Sequence, residues 1–152
     1  MNRSLKADTM KIADMTLKVE LDINASPEKV WEGLTKPEAV KQYMMGAKLD
    51  TDWKEGSPIT WKGEYKGKPF EDKGQVLHAR KPEHLAYSHI SPGSGEADKP
   101  ENQHNVDIRL ARAGKGTRLT LTQDNNPTEE AKAESEKNWK MMLEGLKKVV
   151  EQ

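Results

Sequence analysis

The stretch from Ile23 to Met44, INASPEKVWEGLTKPEAVKQYM, decides the fold: it sets two proline-led helix starts directly behind an alternating strand. Ser26 suits the cap of the first helix, because its hydroxyl oxygen accepts an orphan amide hydrogen, and Pro27 has no N–H to lose at the first helical position. Val30, Trp31 and Leu34 then share one apolar face. Thr35-Lys36-Pro37 repeats the grammar and opens a second short helix through Ala39, Val40, Tyr43 and Met44. Together the two helices are expected to form a V-shaped cover. Just upstream, Leu17, Val19, Leu21 and Ile23 alternate with Lys18, Glu20 and Asp22, the period of a strand with one buried face.

Downstream of Gly46, residues 47–53, 57–65, 69–80, 84–91, 103–112 and 117–124 read as successive strands. Glu55-Gly56, Lys66-Gly67-Lys68-Pro69, Lys81-Pro82-Glu83, the polar stretch Ser91–Pro100 and Ala113-Gly114-Lys115-Gly116 supply the turns. Adjacent hairpins predict an antiparallel sheet. From Pro127 to Gln152 every signal is helical: Thr128 or Asn126 can cap, and Glu129 and Glu130 complement the dipole. Ala131, Ser135, Trp139, Met142, Leu143, Leu146, Val149 and Val150 form a stripe at spacings of three and four. Only the concave face of the sheet offers that stripe a large enough apolar partner. The fold class is therefore α+β, and Leu17, Val19, Leu21, Ile23, Leu119, Leu121, Leu143 and Leu146 are expected to share one interior. Residues 1–15 read as a flexible leader or edge extension, and 16–152 as a single domain.

With 25 basic and 25 acidic side chains the charges cancel, so nothing steers the whole molecule towards nucleic acid or an anionic membrane. No cysteine is present, which removes disulfides, thiolate metal sites and thiol nucleophiles. The first residues lack the apolar core of a signal peptide, and no window approaches the run of about 20 apolar residues that spans a bilayer. The expected location is the cytoplasm, without membrane insertion.

Four histidines, His78, His84, His89 and His104, invite a metal or acid–base reading, but their spacing matches no zinc signature and His84 falls in a turn. No metal or cofactor is expected. Glu64, Glu71 or Asp72 could partner His78 in acid–base work, although in a chain this rich in charge a solvated strand face explains them better. No serine sits in a nucleophile elbow, and the Gly93–Gly95 run follows a proline turn, not a strand that opens a helix. Lys137, Lys140, Lys147 and Lys148 alternate with Glu134, Glu136 and Glu144, a solvated helix face and not a nucleic-acid surface. Trp31, Trp61, Tyr65, Tyr87 and Trp139, with Met44, Met45, Met141 and Met142, suit either an ordinary core or an adaptable apolar pocket.

The order of elements resembles the helix-grip fold of the START-like, or SRPBCC, superfamily, and within it the AHSA-type branch, the activators of heat-shock-protein ATPase. The motifs that carry this are SPEKVWEGLTKPEAVKQYM, WKEGSPITWKGEY, GQVLHARKPEHLAYSH, GKGTRLTLTQ and NWKMMLEGLKKVV, in the family's order over about residues 16 to 150. Tyr43-Met44 and Asn138-Trp139 depart from the family's usual residues at two sites that border its cavity. The resemblance implies a curved antiparallel sheet of about seven strands with two short helices after strand 1. It also implies a long C-terminal helix across the sheet, with a cavity between. The candidate lining is Trp31, Tyr43, Met44, Trp61, Tyr65, Val76, His78, Tyr87, His89, Ile108, Leu119, Leu121, Trp139, Met142, Leu143 and Leu146. The leading expectation is non-catalytic binding of a small apolar or amphipathic molecule under the C-terminal helix. A protein-interaction, co-chaperone-like role in a stress response is the alternative. A cyclase- or hydrolase-type enzyme using His78 or His89 with a carboxylate comes third.

Overall fold

The computed structural model describes residues 15–91 and 100–152. Segments 1–14 and 92–99, and with them nearly all of the expected leader and most of the polar loop, lie outside the described residues. The elements are β1 (Leu17–Ile23), α1 (Pro27–Thr35), α2 (Pro37–Tyr43), β2 (Lys48–Asp50), β3 (Pro58–Tyr65), β4 (Lys68–Arg80), β5 (His84–His89), β6 (His104–Ala113), β7 (Gly116–Gln123) and α3 (Glu129–Val150). The strands form one curved antiparallel sheet in the order β1-β7-β6-β5-β4-β3-β2, with α3 packed across it: an α+β helix-grip fold. No helix among the described residues is long and apolar enough to cross a membrane.

Local chemistry sets the helix ends. Ser26 Oγ accepts from the Lys29 amide at 3.2 Å, and Thr128 Oγ1 accepts from the Ala131 amide at 3.0 Å. Lys36 closes α1 by donating its amide to the Glu32 carbonyl, and Pro37 starts α2 with no side-chain cap. The free carbonyls at the end of α1 are taken by ring groups: Gly33 by the Tyr43 hydroxyl at 2.7 Å and Thr35 by Trp53 Nε1 at 3.0 Å. These two bonds fix the V of α1 and α2 against the start of the sheet. Gly145 lets α2 close onto α3, since a Cβ there would stand 2.7 Å from Tyr43 Cβ.

Register gathers the core. Leu17, Val19, Leu21 and Ile23 lie opposite Gln123, Leu121, Leu119 and Thr117. Of the eight side chains expected in one interior, seven are buried there; Leu21, on the border strand, is half-buried.

One expected lining residue is displaced. Simple alternation from Val76 would turn His78 to the same face, but a bulge shifts the register so that Val76 faces Tyr87 while His78 faces Ala86. The inserted residue, Leu77, flips the alternation and puts His78 on the face away from α3. There it stacks on His84 at 5.0 Å and lies 3.8 Å from Glu55. His84 itself opens β5 and does not sit in a turn; its Nε2 is 2.7 Å from Asp107 Oδ2.

The end of α3 is tied to the end of β1 by charge. Glu151 accepts from the Asn24 amide at 2.7 Å and from Lys147 Nζ at 2.6 Å, and Lys147 also donates to the Asp22 carbonyl at 3.1 Å. The bond from Lys147, then that from the Asn24 amide, holds the Glu151 carboxyl below its ordinary value of 4.5. A carboxyl lowered on folding stabilises above its unfolded value and loses that contribution as pH falls through the folded one. Glu151→Gln should therefore lose less melting temperature than the parent between neutrality and about pH 3. Thermal melts across that range check it; parallel curves would show that the carboxylate does not contribute.

Candidate functional site

Where α2, α3 and the sheet meet, an apolar cleft is walled by Leu34 of α1, Val40, Tyr43 and Met44 at the end of α2, and Trp53 of the following connection. Trp61 of β3, Leu85 and Tyr87 of β5, Ile108 of β6, and Trp139, Met142 and Leu143 of α3 complete it. Its free volume is about 20 Å³, so side chains fill it and about one water would fit. Tyr87 stands between two tryptophans, with ring centroids 5.2 Å from Trp61 and 6.5 Å from Trp53, both tilted.

The polar atoms of this aromatic wall divide into two groups. The Tyr43 hydroxyl, Trp53 Nε1 and Trp139 Nε1 donate to the Gly33 carbonyl, the Thr35 carbonyl and Gln123 Oε1 respectively. The Tyr87 hydroxyl and the Trp61 indole N–H have no hydrogen-bond partner among the described residues. Burial pushes the Tyr43 and Tyr87 phenols well above the usual 10, so both remain donors throughout the physiological range.

Of the expected lining, the cleft unites Tyr43, Met44, Trp61, Tyr87, Ile108, Trp139, Met142 and Leu143. Trp31, Val76, Leu119, Leu121 and Leu146 are buried in the core without reaching the cleft, and the side chain of Tyr65 lies outside the described residues. Trp139 is a half-buried rim residue rather than a core aromatic. Leu34, Val40, Leu85 and Trp53 were not anticipated in the lining. Trp53 carries a positive φ of 59° in an irregular connection, a geometry that no periodicity announces.

His89 belongs to a neighbouring polar cluster. Its Nε2 is 3.0 Å from Asp72 Oδ2, its ring meets Trp61 edge-on at 5.3 Å, and Ser91 Oγ donates to Asp72 Oδ1 at 2.7 Å. A nucleophilic relay places histidine between serine and carboxylate. Here the carboxylate stands in the middle, an order that orients His89 and does not set its imidazole against the Ser91 hydroxyl. His78, the other proposed acid–base residue, is on the opposite face and meets neither Asp72 nor the cleft. Among the described residues no group of three or more histidines and carboxylates is arranged to hold a metal.

Comparison with solved structures gives a 53% identical relative from Cytophaga hutchinsonii, whose solution structure matches over 90% of this chain and 93% of that one with a TM-score of 0.77. A Mesorhizobium loti protein at 23% identity covers 90% of this chain and 96% of its own, TM-score 0.72. The Aha1 dimer from Colwellia psychrerythraea, known in solution, is 20% identical over 87% of this chain and 92% of that one, TM-score 0.68. No curated protein matches the chain. A family profile described as Activator of Hsp90 ATPase homolog 1-like protein matches residues 24–151, from the end of β1 through α3. The helix-grip architecture, the order of its motifs and this match agree: the chain belongs to the activator of Hsp90 ATPase homolog 1-like family of START-like domains.

Proposed function

We propose that this protein binds a small, largely apolar ligand carrying a hydrogen-bond acceptor, in the cytoplasm and without catalysis, in the cleft between α2, α3 and the sheet. The observation that carries the reading is the Tyr87 hydroxyl, a donor that makes no hydrogen bond among the described residues and stands on an apolar wall. Apolar walls with a few placed polar groups are the usual build of small-molecule sites. An acceptor atom on a ligand would satisfy the phenol, and the Trp61 indole beside it offers a second donor.

The present 20 Å³ admits nothing larger than water, so binding requires side chains to swing out. Met44, Met142 and half-buried Trp139 can do so, since unbranched thioethers repack at low cost. Met45 and Met141, 52% and 63% exposed, adjoin Met44 and Met142 in sequence and extend the methionine surface outward. That surface also supports a second reading, a protein-docking role of the kind the family description names.

An environment-sensitive apolar dye bearing a carbonyl should bind saturably and raise the melting temperature. Tyr87→Phe should weaken it about fivefold, the worth of one neutral hydrogen bond, and Met142→Trp should abolish it by filling the mouth. Unsaturable uptake, or unchanged binding to a well-folded Met142→Trp variant, would rule out the cleft. Stimulation of an Hsp90-type ATPase that is lost on Met45→Ser and Met141→Ser would then favour docking.

A further inference from the structure

The outer side of β1 is an open strand edge, and we infer that it pairs with β1 of a second copy of this chain. β1 borders the sheet: its inner side pairs with β7 along its whole length, and among the described residues no strand pairs with its outer side. The other border, β2, has only three residues, whereas β1 runs for seven with no proline and no bulge. A long regular edge of this kind templates a further strand.

Which groups it offers follows from the bonds already made. In an antiparallel strand, the N–H and C=O of one residue point to the same side, and sides alternate along the chain. The Asp22 carbonyl and the Asn24 amide are held by Lys147 of α3 and by Glu151 just beyond it, not by β7. Even-numbered residues therefore face outward. α3 caps the far half of the edge, while the outward main-chain groups of Lys18 and Glu20 have no hydrogen-bond partner among the described residues. Beside them lies a groove of about 340 Å³ between β1 and α3, with Val19, Leu21 and Leu143 on its apolar side and Glu136, Lys140 and Glu144 on its charged one.

Charge selects both the occupant and the register. Self-pairing must set even residues against even ones. A two-fold axis through Lys18 would oppose lysine to lysine; one through Glu20 would oppose glutamate to glutamate and require the Asp22 carbonyl that Lys147 holds. An axis through Val19 opposes Lys18 to the second copy's Glu20 and, by symmetry, Glu20 to its Lys18. On the inner face the same register sets Leu17 against Leu21 and Val19 against Val19, covering the half-exposed Leu21. The paired stretch is short, so the dimer forms reversibly with concentration.

Sedimentation of the full chain up to about 1 mM should show a monomer–dimer equilibrium. Either Lys18→Glu or Glu20→Lys should weaken it about tenfold, because two like-charged pairs then face each other. The double swap should return the dimer to within about twofold of the parent. Both side chains are exposed, so all three variants keep the fold. A monomer at the highest concentration, or single variants that associate like the parent, would overturn the inference. So would hydrogen-exchange protection of the Lys18 and Glu20 amides in dilute monomer, which would mean that the chain covers its own edge. None of these outcomes depends on ligand uptake by the cleft.

Discussion

Gly74→Ala is expected to destabilise the protein by about 3 kcal/mol or more, the upper range for forcing atoms into a packed interior. A Cβ on Gly74 would fall on the Ser88 carbonyl oxygen and its carbon, which are backbone atoms of β5 and cannot rotate away. The two strands are pinned on either side of this point. Lys73 and Ile90 exchange amide–carbonyl bonds of 3.1 and 2.8 Å, and the Gln75 amide donates to Ser88 Oγ at 2.9 Å. Relief of the overlap must separate β4 from β5 just where the bulge seats Val76 opposite Tyr87, so the Trp61–Tyr87 wall should loosen as well. Urea melts measure the loss, and near-ultraviolet circular dichroism should show a weaker aromatic signal in the folded variant. A change under about 1 kcal/mol with an unaltered aromatic signal would mean that the strands already stand further apart at Gly74 than this structure has them.

The helices and β1 were legible because each rests on short-range chemistry, whereas β2, expected over 47–53, is only Lys48–Asp50. Ser26-Pro27 and Lys36-Pro37 are local instructions, and Leu17 to Ile23 alternates without interruption, so one register satisfies the whole strand. The C-terminal stripe is equally plain, since Leu143, Leu146 and Val150 recur at the helical period and are the buried face of α3. His78 was misread for a physical reason: a bulge is a compromise between two strands, and the residue that causes it, Leu77, carries no mark in its own sequence. Trp53 was missed because its place is set by a bond to the Thr35 carbonyl across 18 residues of chain. The state of the cleft was also illegible. Whether large side chains enclose a void or fill it depends on rotamers and on how closely Gly145 lets α2 approach α3, and neither is periodic.

Trp61→Ala should lower stability by about 3–5 kcal/mol, since the indole is only 5% exposed and packs on both Tyr87 and His89. For a chain of this length that corresponds to a fall of roughly 6–20 °C in melting temperature. The same truncation turns the filled cleft into a test of its capacity for ligands. Removing the indole leaves a space of its own shape against Tyr87, whose hydroxyl makes no hydrogen bond among the described residues, and apolar cavities of about 150 Å³ in rigid cores take up benzene-sized molecules. Added indole should raise the melting temperature of Trp61→Ala, recovering about 2.7 kcal/mol at a hundredfold excess over its dissociation constant. It should leave the parent, whose cleft is occupied by its own side chain, unchanged at the same concentration. If the folded variant ignores indole, Met44 and Met142 have collapsed into the space, and the wall around Tyr87 is ordinary core rather than a site that opens to a ligand.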